Sequence, residues 1–509
     1  MNPLEQFRID EAALNQIVAA NPEVEKSLAA GGLTNLSDAT GGTALTVPSL
    51  DNELKLAITN DQNELMALKH LRQDVVGNLA HTYPVQAQTG DSELGSAFRP
   101  ETQLSEPNVI SPWRNTRTLK FAQNVAQTFM SAVLSDSVRT PGAGENLHAH
   151  NMLSAVLQLL TNIEWAGWQG DSDVCALQPD SIFKQIEDFN TQRLPLNGER
   201  PVYDAQGARL VELVGSDYKL KIIEEAALIA YKNGAAPTGL VYPAALAKQM
   251  QDYIQEKLRF MPQDGVAVPL TAAAQSYPTA YGFQLGLAKG KSLAGPARFL
   301  QVKGEVVESK DTASRPKAPT FTSATAANAA SGKVSKFLSS DAGAYKYDIY
   351  PISEYGEIGP RATGGSKTAT VAAGQQVTLV MSPASNPSAT TAGFLIARSS
   401  KDGSVLKEMI RIKAEASGTT TFVDLNEERP GTARALLVSP DYARNLFLGL
   451  NPAGGMPTAS QVDKSQLAKV INLELGRMNA SLRNLVCAFT SPDITVPYKH
   501  VLIKNIAVD

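Results

Sequence analysis

The longest periodic run of apolar residues lies between Gly144 and Asp173. Its apolar side chains recur three or four positions apart, which is the spacing of one face of an α-helix. The Pro- and Gly-containing segment before it cannot continue a helix, and Glu145 places negative charge in the first turn, where the helix dipole favours it. Gly170 ends the run. The pattern predicts a helix of about 24 residues, from about 145 to 168 and about 36 Å long, against which other elements pack.

The region before this helix has two different characters. Residues 1–80 combine a short amphipathic helix (Ile9–Val18), a Gly/Thr-rich stretch expected to be an extended arm, and a second helix beginning at Asp51. Residues 81–122 contain four prolines and alternate like strands at both ends, which predicts a long two-stranded excursion with an irregular tip. An isolated hairpin is marginal in water, so we expect it to lie on a neighbouring subunit.

Four basic side chains on this excursion are the candidate site residues. They could form salt bridges to an adjacent subunit, or they could belong to a solvated surface, and the sequence leaves both interpretations open. The four residues are Arg99, Arg114, Arg117 and Lys120.

After the long helix, helical and strand patterns alternate and predict a mixed sheet. The predicted elements are a helix over 217–234 ending at Gly234, a buried strand over 239–245, a helix over Ala244–Arg259, and strands over 281–287 and 297–308.

A change of composition follows residue 309. From there to about Pro430 helical patterns largely disappear, and strand patterns recur at short spacing, with a hairpin turn at Lys401-Asp402-Gly403. About 115 residues with around seven short strands are typical of an immunoglobulin or fibronectin type III sandwich. Because α/β patterns resume afterwards and the chain closes with strands at Leu482–Thr490 and Val501–Val508, the sandwich is predicted to be an insertion.

Composition excludes several classes of function. The chain has 509 residues, 43% of them hydrophobic, and a net charge of -4, which argues against a general nucleic-acid binder. No apolar run approaches the length of a membrane span, and the N-terminus has no apolar signal-like core, which argues against a secreted adhesin. The only two cysteines, Cys175 and Cys487, allow one disulfide at most and fit a reducing compartment.

Candidate chemical motifs are weak. Gly286–Ser292 resembles a phosphate-binding loop, but its glycines are one residue too close together. Asp171 and Asp173 lack further oxygen ligands for a hard cation, and His148 and His150 point to different sides of a helix. We therefore expect no enzyme activity, no cofactor and no metal.

The order of these elements resembles a tailed-phage major capsid protein of the Hong Kong 97 fold, and most closely those of Twort-like myophages, which carry a sandwich insertion. The matching stretches are Asn162–Ala166 with Gly170-Asp171, Thr421–Glu427, and Lys499–Ile506. The resemblance implies an α+β fold with an N-terminal arm, an extended loop, a peripheral domain containing a spine helix, and an axial domain. Its implied boundaries are 1–80 for the arm and helix, 81–122 for the loop, 123–215 for the peripheral domain, 216–313 and 431–480 for the axial domain, 314–430 for the insertion, and 481–509 for closing peripheral strands.

The same resemblance implies a function and partners. The chain would assemble into hexamers and pentamers of an icosahedral shell that encloses double-stranded DNA without binding it specifically. Expected partners are a portal protein, a scaffolding protein, a prohead protease and a decoration protein, and no membrane. The subunit would assemble in the bacterial host cytoplasm and reside in the virion capsid. An encapsulin-like cellular compartment is the alternative.

Overall fold

The computed structural model describes residues 67–68, 71–85, 111–128, 147–189, 198–214, 217–252, 276–286, 295–297, 304–309, 315–384, 389–416, 418–449, 469–478 and 481–508. All belong to one compact unit formed by Asn60–Leu134 and Leu147–Asp509. The arm and helices expected over 1–66 lie outside the described residues. In chain order the elements are β1 Arg72–Val76, β2 Ala80–Val85, β3 Ser111–Arg117, β4 Leu119–Thr128, α1 Leu147–Gln169, α2 Ile182–Asp188, β5 Val202–Asp204, β6 Glu212–Val214, β7 Asp217–Lys219, α3 Lys221–Lys232, β8 Gly239–Pro243, β9 Ser276–Pro278, β10 Gln284–Gly286, β11 Gly295–Ala297, β12 Thr320–Asn328, β13 Gly343–Ser353, β14 Lys367–Val371, β15 Gln375–Ser382, β16 Thr391–Ser399, β17 Leu406–Lys413, β18 Thr420–Asp424, β19 Ala433–Val438, β20 Ala443–Leu448, β21 Ile471–Met478, β22 Ser481–Ile494 and β23 Val501–Ile506.

The long helix predicted from the apolar period is confirmed as α1. Its buried Leu159 and Ile163 pack against Phe447 and Val486, which come from β20 and β22. The apolar face of α1 therefore covers one face of a sheet, as the spacing of its apolar residues requires.

This sheet has five strands organised around β22. Strand β4 pairs with β22 from Leu119 opposite Thr490 to Thr128 opposite Ser481. Strands β21 and β20 pair with successive parts of β22, and β1 adds to β20 in parallel at the edge. At 14 residues β22 is long enough to hold all of these partners.

The extended excursion begins as the antiparallel pair β2–β3. The hairpin pairing runs to Arg117 opposite Ala80, and the next residue, the buried Thr118, donates its backbone N–H to Leu79 O at 2.8 Å. The chain then leaves the hairpin and enters β4. Residues 119–122, which the sequence placed on the excursion, therefore belong to the five-stranded sheet, and the predicted tip lies outside the described residues.

A second, seven-stranded sheet has the order β5-β23-β19-β8-β10-β9, with β11 also paired to β8. Strand β8 is buried along its whole length, as its apolar sequence predicted. Helix α3 packs on this sheet through small and branched side chains, and Gly234 at φ 61° follows its C-terminal end.

Three local predictions in this region differ from the structure. Residues 217–219 form β7, so the helix predicted over 217–234 begins only at Lys221. The helix predicted from Ala244 opens with a 3-10 turn, Ala244–Leu246, and is helical to residue 252, where the description stops. Residues 304–308 are not a strand, although Gly304 O accepts a hydrogen bond from the Glu408 N–H of β17.

Residues 320–424 form two sheets that share one core. One has the order β12-β15-β18 and the other β14-β13-β16-β17, and Phe321, Leu379, Tyr347 and Phe394 meet between them. Six of these strands were predicted from alternation. The seventh, β12, lies in a stretch rich in Ala and Thr that read as a linker, because small side chains give little apolar contrast.

The closing segment does not form one group. Strand β22 belongs to the five-stranded sheet and β23 to the seven-stranded sheet, while β20 and β21, expected with the axial segment, pair with β22. Within this closing part, the chain crosses between the two sheets twice, once from β19 to β20 and once from β22 to β23.

Candidate functional site

The base of the β2–β3 hairpin is fixed to the five-stranded sheet by one buried carboxylate. Asp493, at the end of β22, has no exposed surface. Its Oδ1 accepts hydrogen bonds from Tyr83 Oη at 2.9 Å and from Thr116 Oγ1 at 2.8 Å, one donor from each strand of the hairpin. Asp493 therefore holds both strands through a single acceptor atom.

Arg444 completes this network from β20. Its Nε donates to Asp493 Oδ2 at 2.8 Å, and its Nη1 donates to Asp74 Oδ2 of β1 at 3.0 Å. The guanidinium also lies over the Tyr83 ring, 5.3 Å from the ring centre. Burial lowers the pKa of Arg444, but the two carboxylates outweigh burial and leave the pKa above its ordinary value. Strands β1, β20 and β22 and the hairpin base are thus joined by charge-assisted hydrogen bonds.

Gln185 of α2 braces the same end of β22. Its Nε2 donates to Asp180 O and Pro492 O, both at 2.9 Å, and its Oε1 accepts the Ile494 N–H at 3.0 Å. Because the amide is buried, these bonds satisfy polar groups that would otherwise be costly. These bonds fix Pro492 and Ile494, the residues on either side of Asp493.

The four predicted cations are only partly brought together. Arg99 lies outside the described residues, and Arg114 stands opposite Tyr83 in β3, where its side chain is not described. Arg117 is exposed and lines a groove of about 440 Å³ that also contains Asp180. Lys120 is exposed in β4, opposite Phe489, and so lies on the sheet and not on the hairpin. Whether they contact an adjacent subunit stays a prediction.

A second cluster joins the two-sheet sandwich to the rest of the chain. Glu187 of α2 and Glu428, just after β18, both contact Arg434 of β19 and Lys504 of β23. The distances are Arg434 Nη1 to Glu187 Oε1 3.3 Å, Arg434 Nη2 to Glu428 Oε2 3.1 Å, Lys504 Nζ to Glu187 Oε1 2.6 Å and Lys504 Nζ to Glu428 Oε1 2.7 Å.

These four charges compensate one another. Burial raises the pKa of Glu187, but Arg434 and Lys504 outweigh burial and hold the pKa below its usual range. Burial lowers the pKa of Arg434 and of Lys504, and Glu187 with Glu428 raises both above their ordinary values. Glu187, Arg434 and Lys504 therefore remain charged, and removal of any member of the cluster would leave a buried charge without its full complement.

Asn505 completes this junction beside the charges. Its Oδ1 accepts the Arg429 N–H at 2.9 Å, and its Nδ2 donates to Asp204 Oδ1 at 2.8 Å and to Glu427 O at 2.9 Å. Asn505 has φ 56°, a left-handed conformation that Asn tolerates better than most residues. Two stretches that carry the sequence resemblance, 421–427 and 499–506, meet here.

An apolar contact supports the same attachment. Val174 and Cys175, in the turn after α1, pack against Ile352, Leu395 and Ala397 of the sandwich. A Cβ on Gly393 would lie 2.7 Å from Val174 Cγ1, so glycine permits this close approach. The outer face of the four-stranded sheet is thus held against the turn.

The weaker motifs have structural explanations. Lys184 Nζ contacts Asp173 Oδ2 at 2.7 Å and Asp188 Oδ1 at 3.0 Å, so the Lys184 ammonium already compensates the negative charge of this turn. Its hydrogen bond lowers the pKa of Asp173, whereas burial raises that of Asp171.

The remaining candidates give no site in the described part of the chain. No group of three or more His, Cys, Asp or Glu side chains with metal-binding geometry occurs among the described residues. Both cysteines are free and buried. Most of the loop after Gly286 lies outside the description. Within the described ranges, no helix is long and apolar enough to cross a bilayer.

Sequence reasoning missed the residues that carry both networks. Asp493 and Arg444 are 49 positions apart, and Glu187, Glu428, Arg434 and Lys504 come from four separate segments. The available signal was that some of these charged residues stand within an apolar run, as Arg434 does in ARALLV and Lys504 in VLIKNI.

No protein-family model and no curated protein matches the chain. Among solved structures, it is similar to the holo-SrpI encapsulin complex from Synechococcus elongatus PCC 7942, with 7% identity over 94% of this chain and 96% of that chain and a TM-score of 0.38. It is also similar to the capsid of the native GTA particle, with 8% identity over 93% and 99% and a TM-score of 0.39. The capsid of Myoviridae phage XM1 matches with 9% identity over 92% and 98% and a TM-score of 0.36. These scores are low, so the assignment of a family has to rest on the chain's own residues and strand pairing.

Proposed function

We propose that this chain is the major capsid protein of a tailed bacteriophage, a shell subunit of the Hong Kong 97 fold. In this proposal α1 is the spine helix, the five-stranded sheet is the core of the peripheral domain, and the seven-stranded sheet with α3 is the axial domain. The two-sheet sandwich is an immunoglobulin- or fibronectin-like insertion on the outer face of the shell.

The observation that supports the proposal most strongly is the fixed base of the β2–β3 hairpin. Asp493 and Arg444 hold that base on the sheet, and 25 residues separate Val85 from Ser111 beyond it. A two-stranded hairpin gains little stability by itself in water. A rigid base is useful when the loop must be aimed at another molecule, and in a shell that molecule is the adjacent copy of the same chain.

The remaining parts of the proposal follow from this assembly. Copies form hexamers and pentamers that close around double-stranded DNA, with a portal protein at one vertex. Scaffolding protein, prohead protease and decoration protein act during or after assembly in the bacterial host cytoplasm. The subunit holds DNA without specific contacts, in keeping with its net charge of -4.

The test is electron microscopy of the purified full-length chain, together with the Arg114→Glu/Arg117→Glu double variant. Wild-type protein should form closed shells with five- and six-fold units, and the variant should form far fewer while its subunit unfolds at the same temperature. Lys317→Glu/Lys333→Glu, at exposed positions outside the predicted loop, is the matched control and should assemble normally.

Each outcome separates the proposal from its rivals. A stable lone subunit that never assembles, even with a scaffolding protein, would overturn the shell function. Particles that contain a cargo protein and no DNA after expression in an infected host would identify an encapsulin-like compartment instead.

A further inference from the structure

The two-sheet sandwich is attached to the rest of the chain on one side. Val174 and Cys175 pack against the outer face of its four-stranded sheet, and at one end Lys336 Nζ contacts Asp204 Oδ2 at 2.6 Å. The three-stranded sheet, β12-β15-β18, lies on the opposite side of the shared core. This sheet is therefore the part of the sandwich best placed to meet another molecule.

Three of the four sheet edges in the sandwich are covered or charged. Strand β12 lies against β14, and the Thr363 N–H donates to Pro319 O at 2.8 Å where β12 begins, so the two sheets close on each other along this side. On the other side, Gly304 O accepts the Glu408 N–H of β17 at 2.7 Å. Strand β17, LKEMIRIK, also carries four charged side chains, which discourage the pairing of a further strand.

Strand β18 is the edge without such protection. In the part of the chain that the structure describes, it pairs with β15 and with no other strand. Its sequence, TTFVD, has no lysine, proline or glycine and is rich in β-branched and aromatic residues. The Asp424 carboxylate does not guard the edge, because it is buried and accepts hydrogen bonds from Tyr347 and Arg398 in the core. Since alternate residues of an edge strand direct their N–H and C=O groups outward, β18 can accept a further strand.

The sheet face beside this edge is also uncharged. Strands β12 and β15 contain no charged residue, and Asp424 is the only one in β18. Thr325, Thr378, Val380, Thr421 and Val423 alternate with the core residues and lie on the outer face. A second sheet edge can therefore approach β18 without the cost of removing an ion from water.

The two ends of β18 carry charges of opposite sign. The Glu415 N–H donates to Thr420 Oγ1 at 3.0 Å, which places the exposed Glu415 at the start of the strand. The Lys336 N–H donates to Leu425 O at 2.8 Å, which places the partly exposed Lys336 at the end. An antiparallel pair of two such strands brings each Glu415 toward the other copy's Lys336, whereas a parallel pair would bring like charges together. The charges thus favour antiparallel pairing about a two-fold axis.

We propose that β18 pairs antiparallel with β18 of a second copy, so that two three-stranded sheets become one six-stranded sheet. This inference rests on the proposed shell function, which brings the sandwiches of neighbouring copies together, and it makes the insertion a link between them. The contact involves only five residues of each strand, which is small for a stable free dimer. The pair should therefore form in shells, where many weak contacts act together.

The test uses the symmetry of the pair. Facing residues of an antiparallel pair lie on the same sheet face, so a two-fold axis at 421, 422 or 423 gives three registers. A disulfide should form within Thr421→Cys shells in the first register and within Val423→Cys shells in the third. In the second it should form only between the two chains of a mixed shell, with one chain tagged. Facing Cβ atoms are about 4.5–5.5 Å apart and diagonal ones about 7–8 Å, so only the facing pair links efficiently.

The matched control is Thr325→Cys, which is exposed on the same sheet face but belongs to β12. The native Cys175 and Cys487 are buried and do not compete. After assembly and mild oxidation, one of the three preparations should give a linked dimer roughly tenfold above this control.

A charge test examines the same contact without a covalent link. Thr421→Lys adds a cation at an exposed position of the edge strand, and the two-fold axis brings two such cations together. Shells of this variant should lose subunits several-fold faster than wild-type shells in dilute denaturant at low salt, and the difference should shrink at high salt. Thr325→Lys is the control and should behave as wild type. A faster loss that salt does not change would reflect a folding defect and would count against the pair.

The remaining outcomes each decide one point. Equal linking in all three cysteine preparations would show proximity without a register and would overturn strand pairing. Linking that is strongest in Thr325→Cys would move the contact to β12 and overturn the assignment to β18. Shells that form with no linking above the control would overturn the inference and leave the shell function standing. Failure of the wild-type chain to form shells at all would remove the proposed function and this inference with it.

Discussion

Replacement of Asp493 by Asn should release the hairpin from the sheet while the two sheets remain folded. The carboxylate is fully buried and accepts from Tyr83, Thr116 and Arg444. Asn keeps the shape but removes the charge and turns one acceptor into a donor. Either the new amide nitrogen faces the Arg444 Nε–H, or the hydroxyls of Tyr83 and Thr116 must turn to accept from it, and in both cases Arg444 loses a charged partner.

The magnitude can be worked from the contacts. Removing one partner of a buried ion pair costs about 3–5 kcal/mol. Arg444 is 20% exposed and keeps Asp74, so a smaller loss applies, about 2–3 kcal/mol. This loss corresponds to amide exchange faster by about 30- to 150-fold when opening is local.

Hydrogen exchange of the unassembled subunit measures this directly. Amides of β2 and β3 should lose protection in Asp493→Asn, whereas those of α3 should not, because α3 belongs to the other sheet. Asp441→Asn, at an exposed position near the same end of the sheet, is the control and should change nothing. Unchanged protection of the hairpin, or equal loss in α3, would refute the idea that this carboxylate anchors the loop.

Three further predictions concern the junctions between sheets. Burial lowers the pKa of His500 from 6.5 to about 4, so the folded chain keeps this ring neutral while the unfolded chain takes up a proton. The free energy of unfolding should therefore fall by up to about 3 kcal/mol as the pH drops from 6.5 to 4. His500→Gln should remove that part of the pH dependence in denaturant titrations. A slope identical in both proteins would contradict it. Asn505→Ala should destabilise the sandwich junction by about 1 kcal/mol more than Asn505→Gly, because Ala adds the strain of a left-handed backbone to the lost hydrogen bonds. Protease cleavage near 425–432 should therefore be faster in the Ala variant than in the Gly variant. The reverse order would argue against strain. Deleting 316–429 should leave a foldable but poorly soluble chain, since the deletion removes Glu428 from Arg434 and Lys504. Deleting 316–426 keeps that carboxylate and should give a larger soluble fraction. Equal soluble fractions would show that Glu428 does not support the fold.

The sequence determined the elements whose signal is local. The apolar period of α1, the uniformly apolar β8, Gly234 after α3 and the alternating strands of the sandwich each follow from residues a few positions apart. Local backbone preference and the burial of one face act over that same distance, so a single sequence records them. Alternation likewise predicted the first strand of the hairpin, β2, whereas the alternation over 116–122 belongs mostly to β4.

Only the tertiary structure decided which segments meet. Lys120 belongs to a sheet and not to the loop because β4 pairs with β22, a partner more than 350 positions away. The charged residues of the two networks look ordinary in the sequence, because their roles depend on partners from distant segments. These residues include Asp493, Arg444, Glu428 and Lys504. Burial turns such charges into anchors, because a low-dielectric site penalises each one until a specific partner compensates it, and a periodicity along one chain carries no record of that partner.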